Sequence, residues 1–216
     1  MKVRWNGHSS FTITAADGMV IVTDPYEPGA FGGGIGYRKI DVRPDIVTIS
    51  HDHADHNYLD GFSGAYEAVR APKTVRGIDF KAVDVFHDGN GGKQRGPNRI
   101  FIFTVDGVTV CHLGDLGHVP DAGQVSKIGK VDVLLIPVGG FYTIDHRQAT
   151  EVVKLLAPRI AIPMHFKTAK CGFPIAPVTE FTAGKKNVKV LNVDEIELTG
   201  DSLPGATEII VLKHQY

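Results

Sequence analysis

The sequence is poor in cysteine, and its two cysteines are not placed for a structural role. Cys111 and Cys171 lie far apart in the 216-residue chain, and no Cys-x-x-Cys pair occurs. This pattern argues against a disulfide framework, a zinc ribbon or a dithiol redox site. We therefore expect both cysteines to be buried and reduced.

Long apolar segments and a strong net charge are also missing. The longest apolar run, residues 133–138, is too short to span a bilayer, and the N-terminal residues lack the apolar stretch of a secretory signal. The formal net charge of −1 provides no overall attraction to nucleic acid or to an anionic membrane. These absences predict a cytoplasmic protein with neither nucleic acid nor membrane as a partner, and they leave the oligomeric state open.

The remaining composition predicts one α/β domain over residues 1–216. Hydrophobic residues make up 43% of the chain and charged residues 22%, as in soluble globular proteins, and no repeat or low-complexity linker divides it. Asp17-Gly18 and Asp106-Gly107 each separate two strand-like runs, which predicts two hairpins. Further strand-like runs alternate with helical patterns over residues 121–128, 145–157 and 178–183. We expect two mostly antiparallel or mixed sheets packed face to face, with the helices outside.

Histidine is abundant, and its distribution is uneven. Three of the ten histidines fall in the segment His51-x-His53-x-Asp55-His56, directly after the strand-like run 45–49. His51 and His53 are two positions apart, so on extended chain they face the same way and can share one metal ion. Asp55 and His56 follow a further bend, where we expect a short helix that points them elsewhere. The alternative is a solvated polar loop whose histidines have no common function.

The ligand types and their spacing favour two ions over one. A tetrahedral zinc site normally takes its ligands as separated pairs, so a single ion is not expected to collect four ligands from this short segment. Mixed imidazole and carboxylate ligands favour zinc, with manganese or iron as alternatives.

Three more candidate ligands follow apolar strands elsewhere in the chain. His87, Asp115 and His165 each come just after a strand-like run. If these strands end at the same edge of the fold, their side chains converge there with the histidine segment. We expect one ion on His51, His53 and His87, a second on Asp55, His56 and His165, and Asp115 between the two.

In these motifs the sequence resembles the metallo-β-lactamase-fold hydrolases. The resemblance rests on His51-x-His53-x-Asp55-His56, then on His87, on Leu113-Gly114-Asp115 and on Pro163-Met164-His165, in the family's order. It covers nearly the whole chain. His8 in Gly7-His8-Ser9 and Asp24 in Thr23-Asp24-Pro25 are similar to the branch of ascorbate-6-phosphate lactonase and small metal-dependent hydrolases.

The resemblance implies an αββα sandwich with a dinuclear metal site at one edge. In such a site two divalent ions activate a bridging hydroxide and polarise the substrate. Asp115 would bridge the ions, and Asp55 would bind one ion and orient the hydroxide. Asp24 would hold a ligand imidazole from behind, although an ordinary aspartate at a strand end accounts for it equally well.

Several further residues are candidates for contacts with the substrate. His8, His112 and His118 are candidates to protonate the leaving group or to contact substrate, although each alone is equally compatible with a structural role. Lys93 and Arg95 lie in a basic loop that fits an anionic substrate or simple solvation. The glycine-rich residues 29–36 form either a lid or a plain linker, and His146 and His214 are assigned no function.

Departures from the family pattern narrow the expected reaction. Antibiotic-hydrolysing members commonly have a cysteine ligand where this chain has Asp115, and oxygen-reducing members usually have glutamate where it has His53. A helical C-terminal domain of the glyoxalase II type and a nucleic-acid exosite are also not indicated. We predict a dinuclear hydrolase for a small, anionic lactone, ester or phosphodiester. The alternative is a non-catalytic metal-binding regulatory or interaction protein.

Overall fold

The computed structural model describes all residues, 1–216, and consists of two mixed β-sheets with four short α-helices. The strands are β1 (Lys2–Gly7), β2 (Ser10–Thr14), β3 (Val20–Thr23), β4 (Ile46–Thr48), β5 (Glu67–Val69), β6 (Lys73–Val75), β7 (Ile78–Phe86), β8 (Pro97–Val105), β9 (Val108–His112), β10 (Val133–Pro137), β11 (Ile160–Met164), β12 (Val188–Val190), β13 (Glu195–Glu197) and β14 (Glu208–Val211). The first sheet has the strand order β13-β1-β2-β3-β4-β5, and the second has the order β12-β14-β11-β10-β9-β8-β7-β6. The helices are α1 (Ala30–Gly33), α2 (Ala122–Ile128), α3 (His146–Leu156) and α4 (Val178–Thr182), and Gly200–Ser202 form a 3₁₀ turn. The predicted α/β class with two mixed sheets is confirmed.

The pairing directions place several strand ends at the same edge of each sheet. In the first sheet β1 and β3 are both antiparallel to β2, and β4 is parallel to β3, so β1, β3 and β4 run the same way. In the second sheet β7 and β9 are both antiparallel to β8, while β10 and β11 are parallel to β9. Each sheet therefore collects the carboxyl ends of at least three strands at one edge.

Both predicted hairpins form, since their turn residues adopt the backbone conformations that tight turns require. Asp106 and Gly107 have φ angles of 50° and 76°, the left-handed pair of a two-residue hairpin turn between β8 and β9. Gly18 has a φ of 90° in the connection between β2 and β3. The dipeptides thus fix the register of strands that lead into the site.

Helices α2, α3 and α4 begin where the sequence predicts them, whereas α1 lies in the glycine-rich segment that the sequence predicts as a lid or a linker. The side chain of Asp145 accepts hydrogen bonds from the backbone N–H groups of Arg147 and Gln148, and Gln148 returns a bond to the Asp145 backbone, which forms a complete capping box. Asp121 caps α2 in the same way. Ala149, Val152 and Leu156 are the buried face of α3.

One apolar core joins the two sheets. A cluster of 46 buried residues includes Trp5 and Phe11 from the first sheet and Phe80 and Phe103 from the second. The rings of Phe80 and Phe103 have centroids 4.9 Å apart. Cys111 lies in this core, and both cysteines are buried and unpaired, as predicted. The core makes the spacing between the two sheet edges rigid.

Three local features differ from the sequence predictions. Residues 2–7 form β1 and residues 67–69 form β5, although neither was predicted as a strand. The segment around Asp55 and His56 is a turn instead of a short helix, in which the His56 and Asn57 N–H groups both donate to the His53 carbonyl. Contacts between side chains at the site outweigh local helix propensity here.

None of the helices has the length and apolar character needed to cross a bilayer.

We expect the Asp145 cap to contribute measurably to stability. Replacing it in Asp145→Ala removes the acceptor for two N–H groups, which should lower the free energy of unfolding by about 1 kcal/mol in urea denaturation. Asp145→Asn, which keeps an acceptor oxygen, should stay within a few tenths of wild type. Equal losses in the two variants would contradict a capping role.

Candidate metal centre

Asp115 lies at the centre of a buried cluster of histidines. Its Oδ2 atom is 3.1 Å from His56 Nε2, 3.2 Å from His87 Nε2 and 3.3 Å from His165 Nε2. All four side chains are buried. They follow β9, β4, β7 and β11 in turn, so strands from both sheets deliver them to the same place. The structure thus brings together the residues that the sequence places after separate strands.

Six of the seven predicted ligands form two groups, and both groups border the seventh, Asp115. Ligand atoms of His51, His53 and His87 lie within 4.8 Å of one another, and His51 Nε2 is 3.0 Å from His53 Nδ1. The second group consists of Asp55, His56 and His165, joined by His8. Ligand nitrogens of one tetrahedral zinc ion are about 3.3 Å apart, given bonds of about 2.0–2.1 Å. The atoms of each group thus lie close enough to converge on one ion with small side-chain movements.

The charge states of the cluster also fit divalent ions. Burial lowers the pKa of His51 to about 3 and that of His8 to about 4, so both imidazoles are neutral. Burial raises the pKa of Asp115, but the imidazoles of His165, His56 and His87 outweigh it and hold the carboxyl ionised. Neutral imidazoles and ionised carboxylates are the donor set that zinc, manganese and iron accept.

One buried nitrogen in the cluster lacks a hydrogen-bond partner. His56 Nε2 is fully buried and makes no hydrogen bond of acceptable geometry. Burial lowers the pKa of His56, but the carboxylates of Asp115 and Asp55 raise it well above the ordinary histidine value. The carboxylates therefore favour positive charge at this point, which bound cations would supply.

Asp24 fixes the tautomers of one histidine from each group. Its Oδ2 accepts a hydrogen bond from His56 Nδ1 at 2.9 Å and another from the Ser50 hydroxyl. Because that hydroxyl donates to Asp24, it accepts from His51 Nδ1 at 2.9 Å. Both imidazoles therefore carry their proton on Nδ1 and present the Nε2 lone pair to the centre, as metal ligands must. The geometry matches the position behind a ligand that the family resemblance implies for Asp24.

His8 holds Asp55 from the side opposite to solvent. Its Nε2 donates to Asp55 Oδ2 at 3.0 Å, and its ring packs on His165 with centroids 4.3 Å apart. Only 1% of His8 is exposed, and it does not line the cavity described below. His8 therefore positions a carboxylate instead of contacting substrate directly.

Three of these residues have strained backbone. His8, Asp24 and His165 have φ angles of 50°, 41° and 49°, in the left-handed region that non-glycine residues rarely adopt. Each follows directly on a strand, so the left-handed turn directs the side chain into the cluster. Such strain is typical of functional sites, where the surrounding structure compensates for it.

Asn98 is a positioning residue that the sequence did not reveal. It is 1% exposed, its side-chain amide donates to the Leu113 carbonyl at 2.9 Å, and its Oδ1 accepts from the Asp115 N–H at 3.1 Å. These bonds fix the chain on both sides of Gly114. The sequence places Asn98 at the end of a turn-rich segment, where asparagine is common, so its residue type gives no signal of this role.

The structure does not bring His112 or His118 to the substrate side, so their predicted catalytic role is corrected. His112 is fully buried, with Nδ1 accepting from the Gly114 N–H and Nε2 donating to the Ser9 carbonyl. His118 Nε2 accepts from the Phe86 N–H, and Nδ1 donates to the Val119 carbonyl. Both rings use both nitrogens to hold backbone, which leaves neither free to transfer a proton.

A cavity of about 220 Å³ opens directly onto the cluster. Of the two basic candidates, Arg95 lines it, whereas Lys93 is exposed and does not. The cavity walls combine members of both ligand groups with three aromatic rings that carry no signal in the sequence. The full lining is Phe31, His53, Asp55, His87, Arg95, Asp115, Tyr142, His165 and Phe173. The cavity is where a substrate would meet the ions.

The glycine-rich residues 29–36 meet this cavity through one residue, Phe31. Their backbone is tied to the segment 170–172, since the Gly36 N–H donates to the Lys170 carbonyl and the Gly172 N–H donates to the Gly34 carbonyl. Ile35 is fully buried in a second apolar cluster. The segment is thus packed in place, and its exposed tip, Phe31, reaches the cavity.

Comparison with known proteins identifies the family of the chain. A family model described as the beta-lactamase superfamily domain matches residues 2–165, a stretch that contains every residue of the cluster. The chain belongs to the metallo-beta-lactamase superfamily. A superfamily member from Thermotoga maritima has a structure that matches with a TM-score of 0.80 and 36% identity, covering 99% of each chain.

Two other proteins to which the chain is similar are named as metal hydrolases. A metal-dependent hydrolase from Thermococcus kodakarensis is 28% identical over 195 residues, which cover 78% of this chain and 85% of the relative. A metallo hydrolase from Ignicoccus hospitalis has a structure that matches with a TM-score of 0.64 and 25% identity, covering 92% of this chain and 99% of the other. The assignment confirms the resemblance to the metallo-β-lactamase-fold proteins at the level of the superfamily.

The role of Asp24 predicts a change in metal affinity. Asp24→Asn places an amide N–H₂ group or a weaker acceptor against His56 and against Ser50, which contacts His51. His56 and His51 then both lose their fixed tautomer. We expect zinc affinity, measured by competition with a chromophoric chelator, to fall about 10–100-fold. Asp52→Asn alters an exposed carboxylate in the same segment and should leave affinity unchanged. Equal affinities for wild type and Asp24→Asn would exclude the orienting role.

Proposed function

We propose that the protein is a dinuclear metal-dependent hydrolase that cleaves a small, anionic lactone, ester or phosphodiester. The observation that carries the proposal is the position of Asp115 Oδ2 within 3.3 Å of three imidazoles, between two compact ligand groups at the base of a cavity. Relatives that bear the name metal-dependent hydrolase support the same reaction class.

The proposal assigns the ions to the two ligand groups. His51, His53 and His87 would hold one ion, and Asp55, His56 and His165 the other, with Asp115 in contact with both. Zinc suits this donor set best, with manganese or iron as alternatives. When bound, such ions supply Lewis-acid activation of water and of the substrate's carbonyl or phosphoryl oxygen.

The protein's own residues would orient the reactants. Asp55 lines the cavity, and the hydrogen bond from His8 at 3.0 Å fixes its carboxylate. We assign Asp55 to accept a hydrogen bond from the attacking water and so to set its direction. Water then needs no reorientation as the reaction begins, which is how positioned groups lower a barrier.

The alternative is a metal-binding regulatory or interaction protein without turnover. A purely structural metal site is normally closed by its protein ligands. Here His53 is only partly buried and, with Asp55, faces a cavity large enough for a small molecule. Access of this kind supports a reacting site over a purely structural one.

Turnover by single-residue variants tests the proposal. The zinc- or manganese-loaded protein should release product from a panel of γ- and δ-lactones, p-nitrophenyl esters and bis(p-nitrophenyl) phosphate. Removal of a ligand in His53→Ala or Asp115→Asn should lower kcat/KM by more than about 100-fold, since even changes behind the ligands typically cost 10–100-fold. His146→Ala removes a surface histidine that pairs with Glu180 and should retain full activity.

The control measurements separate loss of chemistry from loss of fold. Each variant should keep the wild-type circular dichroism spectrum. Absence of turnover across the whole panel, in wild-type protein with both ions bound, would contradict the proposal and favour the binding-protein alternative. Unchanged activity in Asp115→Asn would contradict the assigned site.

A further inference from the structure

Three aromatic residues line the cavity, Phe31, Tyr142 and Phe173, and with the adjoining Phe141 they form what we call the aromatic rim. Phe173 is central, with ring centroids 5.6 Å from Phe31 and 5.4 Å from Tyr142. Phe141 extends the rim, 4.7 Å from Tyr142. Three different segments supply these rings, so the rim is a tertiary feature that only the folded chain creates.

Two members of the rim are exposed in a way that neither packing nor backbone preference explains. Phe31 is 58% exposed and Phe141 64%, although burial of such rings is strongly favoured. Their φ angles are 55° and 63°, in a region where a bulky residue is a genuine outlier. Strained, exposed aromatic rings beside a cavity indicate a surface that contacts an apolar ligand.

Arg95 adds an uncompensated positive charge to the same cavity. Its guanidinium carbon lies 5.2 Å from the centre of the Tyr142 ring, a cation–π contact. No carboxylate lies within 4.0 Å of it, whereas the nearby Arg70 and Arg99 are paired with Asp52 at 2.6 Å and Asp84 at 2.7 Å. With the guanidinium stacked on a ring, its N–H groups are available to a planar anion.

The loop that carries Arg95 is fixed in advance of binding. Asp88 is buried, and its carboxylate accepts hydrogen bonds from the backbone N–H groups of Asn90, Gly92, Gln94 and Arg95, at 2.7–3.0 Å. The carboxylate therefore holds the Arg95 backbone against Asp88, which is the residue after the candidate ligand His87. A pre-ordered loop loses little conformational entropy on binding, which favours a specific ligand contact.

We propose that this cavity selects substrates that combine a negatively charged group, paired with Arg95, and a flat apolar group, held by the aromatic rim. Its volume of about 220 Å³ is below the range for drug-sized ligands, so the ligand is small. That the ligand is a substrate rests on the proposed hydrolase function. The binding preference itself does not, and it is measured separately.

Calorimetric titration of the metal-loaded protein with 2-naphthalenesulfonate tests the preference, because this probe has the ring and the charge but no hydrolysable bond. Methyl 2-naphthyl sulfone supplies the ring without a charge or an ionisable N–H group, and methanesulfonate supplies the charge without the ring. We expect both to bind the wild-type protein at least tenfold more weakly than the sulfonate.

The variants identify the contacts. Arg95→Ala should weaken binding of 2-naphthalenesulfonate at least tenfold and leave binding of the sulfone unchanged, and Arg95→Lys should recover only part of the loss. Phe173→Ala should weaken both naphthyl probes. Lys93→Ala removes a positive charge from the same loop outside the cavity and should keep the sulfonate affinity within twofold. Thermal melts of each variant confirm folding.

The outcomes separate this inference from the proposed hydrolase function. Equal sulfonate affinities for Arg95→Ala and Lys93→Ala, or no wild-type binding below millimolar concentration, would overturn the preference even if esters are hydrolysed. Arg95-dependent binding of the sulfonate by a protein that hydrolyses nothing would support the preference and contradict the hydrolase function.

Discussion

Carboxylates and imidazoles share a buried space around Asp115, and burial of charge without compensation is costly. The fold concentrates them because strands of both sheets end at the same edge, each followed directly by a polar side chain. Close backbone approach makes this convergence possible: a Cβ atom at Gly117 would lie 2.2 Å from the Asp88 nitrogen, and one at Gly114 would lie 2.3 Å from Asn98 Oδ1. Cations at the centre would satisfy the charge that the fold collects.

A ring of buried polar residues supports the candidate ligands without reaching the cavity. Asp24 and Ser50 set the tautomers of two histidines, His8 holds Asp55, and Asn98 holds the chain at Asp115. This arrangement lets the ligand atoms be fixed before any ion or substrate binds. The rim and Arg95 have a different role, since they face the cavity and would determine which molecule reaches the ions.

The sequence predicted those parts of the structure that local pattern controls. Hairpin dipeptides, capping residues and strand-end histidines each carry a local signal, and the α/β class, α2, α3 and α4 followed from them. The turn at Asp55 and His56 was mispredicted because contacts with distant residues fix it. The roles of His112 and His118 were wrong for a related reason: a histidine near a site has no sequence mark that distinguishes a backbone-holding ring from a catalytic one. The contributions of Asn98, Phe31, Tyr142 and Phe173 depend on tertiary proximity alone.

Two compact ligand groups border one shared carboxylate, and we propose that each group binds one ion. Inductively coupled plasma mass spectrometry of the purified protein, reconstituted with zinc or manganese and then dialysed, tests this two-ion site most directly. We expect two equivalents of metal per chain in the wild-type protein. Less than one equivalent, with the protein folded by circular dichroism, would contradict it.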